Sequence, residues 1–378
     1  MEKNTGNSIS RARFMAGAAA VGVVAAAAGA LPAPVAAAAT GARRGLTHRG
    51  VVYTVGAGET PGTAWSERRM REDIRVIGSE LHADTVEVTG DGVERLNATA
   101  SEVAERGLHV WLQPTLGDVP EKEILEHLAE SGRHGERLRK QGARVTLAVG
   151  CEFWLFVPGI VPGDTVLDRI QNLLDGNVDW VQMQRRLARF TAKAAAVGRS
   201  VFGGELSYAA AQDDDVDWNL FDIVGIDYYS YFPRRADYVR ELKKFLRWGK
   251  PLAITEFGTC TFVGAPEEGG MGWNVVDYSK EPAEIKGDLV RSERVQAAYL
   301  TDLLDVFESM NLHAAMAFEF VTADAPHRPD NPRYDLDMAS YAIVKPLKDR
   351  PDDPDSDWHW EPKQAFHALA RHYGRARC

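Results

Sequence analysis

Cysteine is scarce. The three in the chain, Cys151, Cys260 and Cys378, are too few and too scattered for a disulfide framework or a cysteine-rich zinc site. His82, His109, His313 and His327 are dispersed, and neither H-x-H nor H-E-x-x-H occurs. A histidine-built catalytic zinc is therefore not expected, and the reading assigns no metal and no cofactor. There is no P-loop, and Gly203-Gly204-Glu205-Leu206-Ser207 lacks the G-x-S-x-G elbow of a serine hydrolase. Positive charge is in deficit: 44 Lys and Arg against 54 Asp and Glu give −10. Nothing then offsets repulsion from phosphates, which excludes a general nucleic-acid binder.

Long hydrophobic runs are also missing, with one exception. Arg11 and Arg13 precede an Ala-, Val- and Gly-rich stretch from Phe14 to Ala39. A basic start, an apolar middle and small residues at Ala37-Ala38-Ala39 fit an export signal. Pro32 and Pro34, and few Leu or Ile, make it a weak membrane span. Ala12 separates the two arginines, so the stretch looks like a degraded twin-arginine signal. Residues 1–39 are expected to direct export by the Sec or Tat route. The mature chain would be secreted or cell-surface, with no stable membrane anchor.

What remains is ordinary globular composition: 378 residues, 45% hydrophobic, 26% charged and 9% aromatic. Strand and helix patterns alternate. Strands are expected over 49–54, 83–89, 108–114, 143–150, 200–205, 220–228, 250–256 and 314–321. Helices are expected over 66–79, 92–106, 121–140, 178–197, 236–248, 292–310 and 362–373. Ser66 is placed to cap the first helix, with Ile74 and Ile77 on its apolar face. Eight strands, mostly followed by helices, predict a (β/α)₈ TIM barrel spanning 40–378 as one domain. An open doubly wound sheet is disfavoured, because Val55-Gly56-Ala57-Gly58-Glu59 is a poor dinucleotide fingerprint.

In such a barrel, chemistry sits where strands end. Glu152 lies just past the fourth strand and Glu256 ends the seventh; Glu205, Asp227 and Glu319 are read at comparable places on strands five, six and eight. Carboxylates seldom bury without a partner or a use. Two facing carboxyls suit glycoside hydrolysis, one protonated to release the leaving oxygen and one ionised to attack the anomeric carbon or activate water. Trp111, Phe153, Trp154, Phe156, Tyr228, Tyr229, Tyr231 and Trp273 lie near these acids in sequence. Aromatic faces beside hydrogen-bonding groups suit sugar rings. Tyr228 or Tyr229 is placed to donate a hydrogen bond to Glu256.

Thr255-Glu256-Phe257-Gly258, Phe221-Asp222-Ile223-Val224-Gly225-Ile226-Asp227-Tyr228-Tyr229 and Trp360-Glu361-Pro362 resemble motifs of the clan A glycoside hydrolases. That resemblance implies a retaining enzyme with Glu152 as general acid/base and Glu256 as nucleophile. Substrate contacts would come from Cys151, Trp154, Glu205, Asp227, Tyr228, Tyr229, Trp273 and Glu319, and the partner would be a carbohydrate. Arg49-Gly50-Val51-Val52-Tyr53, Val149-Gly150-Cys151-Glu152 and Gly159-Ile160-Val161-Pro162-Gly163 resemble still more closely a group labelled abortive infection proteins. Three positions depart from the clan pattern. Cys151 stands where Asn usually precedes the acid/base. Glu87 stands near the usual Arg of strand two. Phe318-Glu319-Phe320 stands where strand eight often ends near Trp. These departures keep a second reading open: a non-catalytic barrel that binds carbohydrate or a protein partner, linked to phage defence.

Overall fold

Runs such as Val110-Trp111-Leu112 and Leu147-Ala148-Val149 lack the alternation of a half-exposed strand, and every residue of Thr85–Gly90, His109–Pro114 and Val145–Cys151 is buried. Strands covered on both faces belong to a parallel sheet wrapped by helices. The computed structural model, described here for residues 45–56, 58, 63–353 and 355–375, closes eight such strands into one barrel. They are β1 His48–Val55, β2 Thr85–Gly90, β3 His109–Pro114, β4 Val145–Cys151, β5 Glu205–Ala211, β6 Val224–Asp227, β7 Leu252–Phe257 and β8 Ala314–Ala317. Neighbours pair in parallel around the ring, and β1 closes it against β8 at His48↔Ala314. The expected (β/α)₈ barrel is present. The proposed export signal, residues 1–39, lies outside the described residues.

Helices cover the ring where apolar positions recur at helical spacing. Ser66 caps Glu67–Ser79 by accepting from Arg69 N, and Ile74 and Ile77 are buried beneath it. Glu293–Ser309 buries Tyr299, Leu303 and Val306. Among the described residues, no helix is long and apolar enough to cross a membrane.

The fifth strand corrects the sequence reading. Ser200 and Val201 finish the helix Trp180–Val201, and β5 begins only at Glu205. Ala209-Ala210-Ala211 has weak strand propensity, so the sequence gives it little strand character. Parallel pairing to Gly225, Ile226 and Asp227 imposes the conformation. The β5–β6 connection holds a single 3₁₀ turn, Trp218–Leu220, where a full helix would be usual.

Three long connections rise above the strand C-termini. One follows β4 and carries the short helices Phe153–Phe156 and Val166–Leu174. One follows β7 and carries the 3₁₀ segment Ala265–Val275 and a small ribbon. One follows β8 and ends in the ribbon Val344–Lys348 with Trp358–Pro362.

Candidate active site

Glu152 is placed by an abrupt change of backbone direction. Gly150 has φ of +152°, and a Cβ there would lie 2.3 Å from the Phe153 ring. Glu152 itself is left-handed, with φ 31° and ψ 57°. Its amide donates to the Ala209 carbonyl at 2.8 Å, which ties the end of β4 to β5. The Phe153 amide donates to the Tyr208 hydroxyl at 2.9 Å. Arg169, fully buried, donates to the Leu155 carbonyl at 2.5 Å and pairs with Asp118, anchoring the segment that follows. Glu152 is buried in full.

Glu256 is the next-to-last residue of β7 and is 6% exposed. The Tyr229 hydroxyl donates to its Oε2 at 2.7 Å. The Cys151 thiol approaches its Oε1 at 3.8 Å and Asp227 Oδ2 at 3.5 Å. The Thr255 hydroxyl donates to Asp227 Oδ1 at 2.7 Å. Gly258 lets β7 pass beside β8, since a Cβ would come within 2.4 Å of the Phe318 carbonyl.

Burial raises the pKa of Glu256 well above the usual carboxylate range, and the charges of Asp227, Glu152 and Glu87 add to it. Tyr229 opposes the shift. Burial also raises Asp227, to about 7, against the hydrogen bonds from Thr255 and Cys151. Cys151 is held as the thiol by burial and then by Asp227 and Glu256.

Glu319 lies two residues beyond β8 and accepts from Thr54 at 2.6 Å and Thr322 at 2.8 Å. It lines a shallow cleft together with Trp65, Arg69, Asp73, Asp324 and Trp358. Arg69 sits 3.9 Å over the Trp358 ring. Burial raises Glu319 to about 7 and Asp73 to about 6. Asp73 keeps hydrogen bonds from Tyr53 at 2.9 Å and Trp360 at 2.8 Å. Trp273 is 9% exposed and lines a smaller neighbouring cavity with Thr322 and Asp324. Trp154 is buried directly after Glu152, and its Nε1 has no hydrogen-bond partner among the described residues.

Two expected site residues lie elsewhere. Glu205 is the first residue of β5, pairs in register with Thr146 near the start of β4, and is exposed. The shifted strand puts it at the opposite end of the barrel. Tyr228 turns outward, because alternation along the chain gives the inward direction to Tyr229. The Tyr228 hydroxyl donates to Glu241 at 2.8 Å, and its ring packs against Tyr238 and Phe307. Phe153 stacks on Tyr208 and is core.

Glu87 is more than a departure from a motif. It is the third residue of β2 and wholly buried, and neither carboxyl oxygen has a hydrogen-bond partner among the described residues. Its charge bears on Glu256 and Cys151. An acid between two valines in a buried strand was the available signal. Asp73 and Arg69 left no such signal, since charged residues on a helix ordinarily face water.

No protein-family profile matches the chain, and no curated protein matches it. Solved structures do. The "Complex structure of GH113 beta-1,4-mannanase" is 12% identical with a TM-score of 0.55, over 87% of this chain and 99% of that one. GH113 beta-mannanase AaManA from Alicyclobacillus acidocaldarius is 13% identical with a TM-score of 0.54, over 87% and 98%. Bacteroides uniformis beta-glucuronidase 2 is 14% identical with a TM-score of 0.53, over 86% of this chain and 35% of that one. The chain is thus similar in fold to glycoside hydrolases built on a (β/α)₈ barrel.

Proposed function

We propose that the protein is a retaining glycoside hydrolase acting on an oligo- or polysaccharide outside the cell. The observation that carries this reading is the pairing of Glu152 after β4 with Glu256 at the end of β7. Each is buried at the C-terminal end of its strand, the Glu152 charge bears on Glu256, and Tyr229 holds Glu256 at 2.7 Å. In the first step Glu152 gives its proton to the glycosidic oxygen while Glu256 attacks the anomeric carbon. The leaving sugar departs and a glycosyl ester forms. In the second step Glu152 takes a proton from water, which displaces Glu256 and restores it. The cleft beside Glu319 would seat a neighbouring part of the saccharide, with Trp65 offering an aromatic face. Residues 1–39 would carry the chain across the membrane, leaving a barrel domain from residue 40.

The printed activities of the fold neighbours, beta-1,4-mannanase and beta-glucuronidase, put mannan oligosaccharides and aryl glycosides first on a substrate panel. Cell-wall polysaccharides follow. Turnover by the wild type, abolished in both Glu152→Gln and Glu256→Gln, supports the proposal. A folded, chelator-treated wild type inactive across the panel overturns it. It would then favour the carbohydrate- or protein-binding reading, for which Cys151 in the place of the expected Asn speaks.

A further inference from the structure

The end of the barrel opposite the proposed catalytic acids carries a cavity that plays no part in the proposed hydrolysis. Two helices, Val93–Glu105 and Glu121–Lys140, stop there in the same way. Gly107 and Gly142 follow them with φ of +73° and +99°. The next residue of each donates back five places, Leu108 N to the Val103 carbonyl at 3.2 Å and Ala143 N to the Leu138 carbonyl at 3.1 Å. This Schellman closure satisfies helix-end carbonyls that would otherwise repel an anion. The two turns lead into the neighbouring strands β3 and β4 and border an open cavity of ≈ 550 Å³. A Cβ on either glycine would meet nothing within 4 Å.

Its floor is apolar, with Leu108 and Leu138 each 8% exposed. Two guanidinium groups stand on its lining, each placed by a hydrogen bond. Arg144 donates to the Gly107 carbonyl at 2.9 Å. Arg137 donates to His134 Nδ1 at 3.0 Å, and His134 Nε2 lies 3.0 Å from the Ser101 hydroxyl. That hydroxyl donates onward to the Asn97 carbonyl at 2.8 Å. The protons can then be assigned. Nδ1 accepts from Arg137, so Nε2 carries the hydrogen and gives it to Ser101. His134 is neutral, in line with the lowering of its pKa by burial and then by the Arg137 charge. Among the described residues neither guanidinium has a carboxylate partner, and each keeps N–H donors beyond the one it spends. Glu105 is the only acid among the described lining residues.

We propose that this cavity binds a small organic oxyanion, a phosphate or sulfate ester, its anionic group held by Arg137 and Arg144 and its carbon body resting on Leu108 and Leu138. Two guanidinium forks from separate turns offer donors from two directions. That suits a tetrahedral group with three free oxygens better than a flat carboxylate with two. The apolar floor and the volume, which falls in the range of small-molecule pockets, call for more than a bare ion. No motif announces the pair in the sequence, because only the parallel pairing of β3 with β4 brings their two turns together. Occupation leaves the strand C-termini untouched, so the assignment stands apart from the hydrolase reading.

The test is calorimetric titration of the full-length protein at low salt with phenyl phosphate, phenyl sulfate and inorganic phosphate. The expected result is one site per chain for at least one of the two esters, with inorganic phosphate several-fold weaker. The tighter ester identifies the anion. Arg137→Gln and Arg144→Gln should each weaken it roughly tenfold or more, and added salt should weaken it in the wild type. Glu105→Gln should tighten it. Arg185→Gln, at an exposed arginine outside the cavity, should change nothing. A wild type that binds neither ester, or an ester bound equally by the wild type and both arginine variants, overturns the proposal, whatever the protein does to sugars. Inorganic phosphate bound as tightly as the esters overturns the part given to Leu108 and Leu138.

Discussion

Changing Tyr229 to Phe removes one oxygen and keeps the ring that packs edge-on against Phe318 and Tyr341. What is lost is the 2.7 Å hydrogen bond to Glu256. A hydrogen bond to a charged group contributes about 1.5–3 kcal/mol, and here it favours the ionised carboxylate against burial and against Asp227. Its loss should raise the pKa of Glu256 further. If Glu256 must be ionised to attack, the acidic limb of kcat/KM moves up. Activity on the acid side then falls roughly 10- to 100-fold. The assay is a pH profile of kcat/KM on the best substrate, in chelator-treated buffer. Asp227→Asn is the opposing perturbation. It removes the largest neighbouring charge acting on Glu256, so the limb should move down. A Tyr229→Phe limb within ~0.3 unit of wild type refutes the assignment of Tyr229 and Glu256 to one working pair.

Tyr228→Phe should leave that limb in place, because its hydroxyl serves Glu241 outside the site; a shift equal to that of Tyr229→Phe contradicts the placement. Glu87 should oppose stability as pH rises, since burial and then Asp227 raise its folded-state pKa. Its favourable contribution is full below its unfolded value of about 4 and fades as pH climbs toward the folded value. Urea midpoints of wild type should therefore fall relative to Glu87→Gln with rising pH, and parallel curves would count against the buried acid. Lys363 and Asp337 form a wholly buried pair at 2.8 Å, with Arg291 at 2.7 Å from the same carboxyl. Lys363→Ala should cost roughly 3–5 kcal/mol by chemical denaturation, and a loss below about 1 kcal/mol would show the pair to be dispensable.

Most of the ring was legible because burial on both faces writes a continuous apolar strand, as in Val145–Cys151. The Ser66 cap and the ends of the first helices were legible for equally local reasons. The fifth strand was not, since alanines carry little strand preference and only pairing with β4 and β6 fixes them. That one shift moved Glu205 to the wrong end of the barrel. Glu152 and Glu256 could be named from the strands they follow. The Cys151–Asp227–Glu256 convergence could not, because it depends on the pitch of three strands and on Gly150 turning the chain. Tyr228 and Tyr229 were equal candidates until alternation assigned one to the helix Arg235–Leu242 and the other to Glu256.

The account turns on Glu256 forming a bond to sugar. Incubation with a mechanism-based fluorinated glycoside matched to the active substrate, then digestion and mass spectrometry, reads that directly. The predicted result is one glycosyl adduct on the peptide carrying Thr255-Glu256-Phe257, absent in Glu256→Gln. An adduct on another residue, or steady turnover with no trapped ester at all, would contradict it.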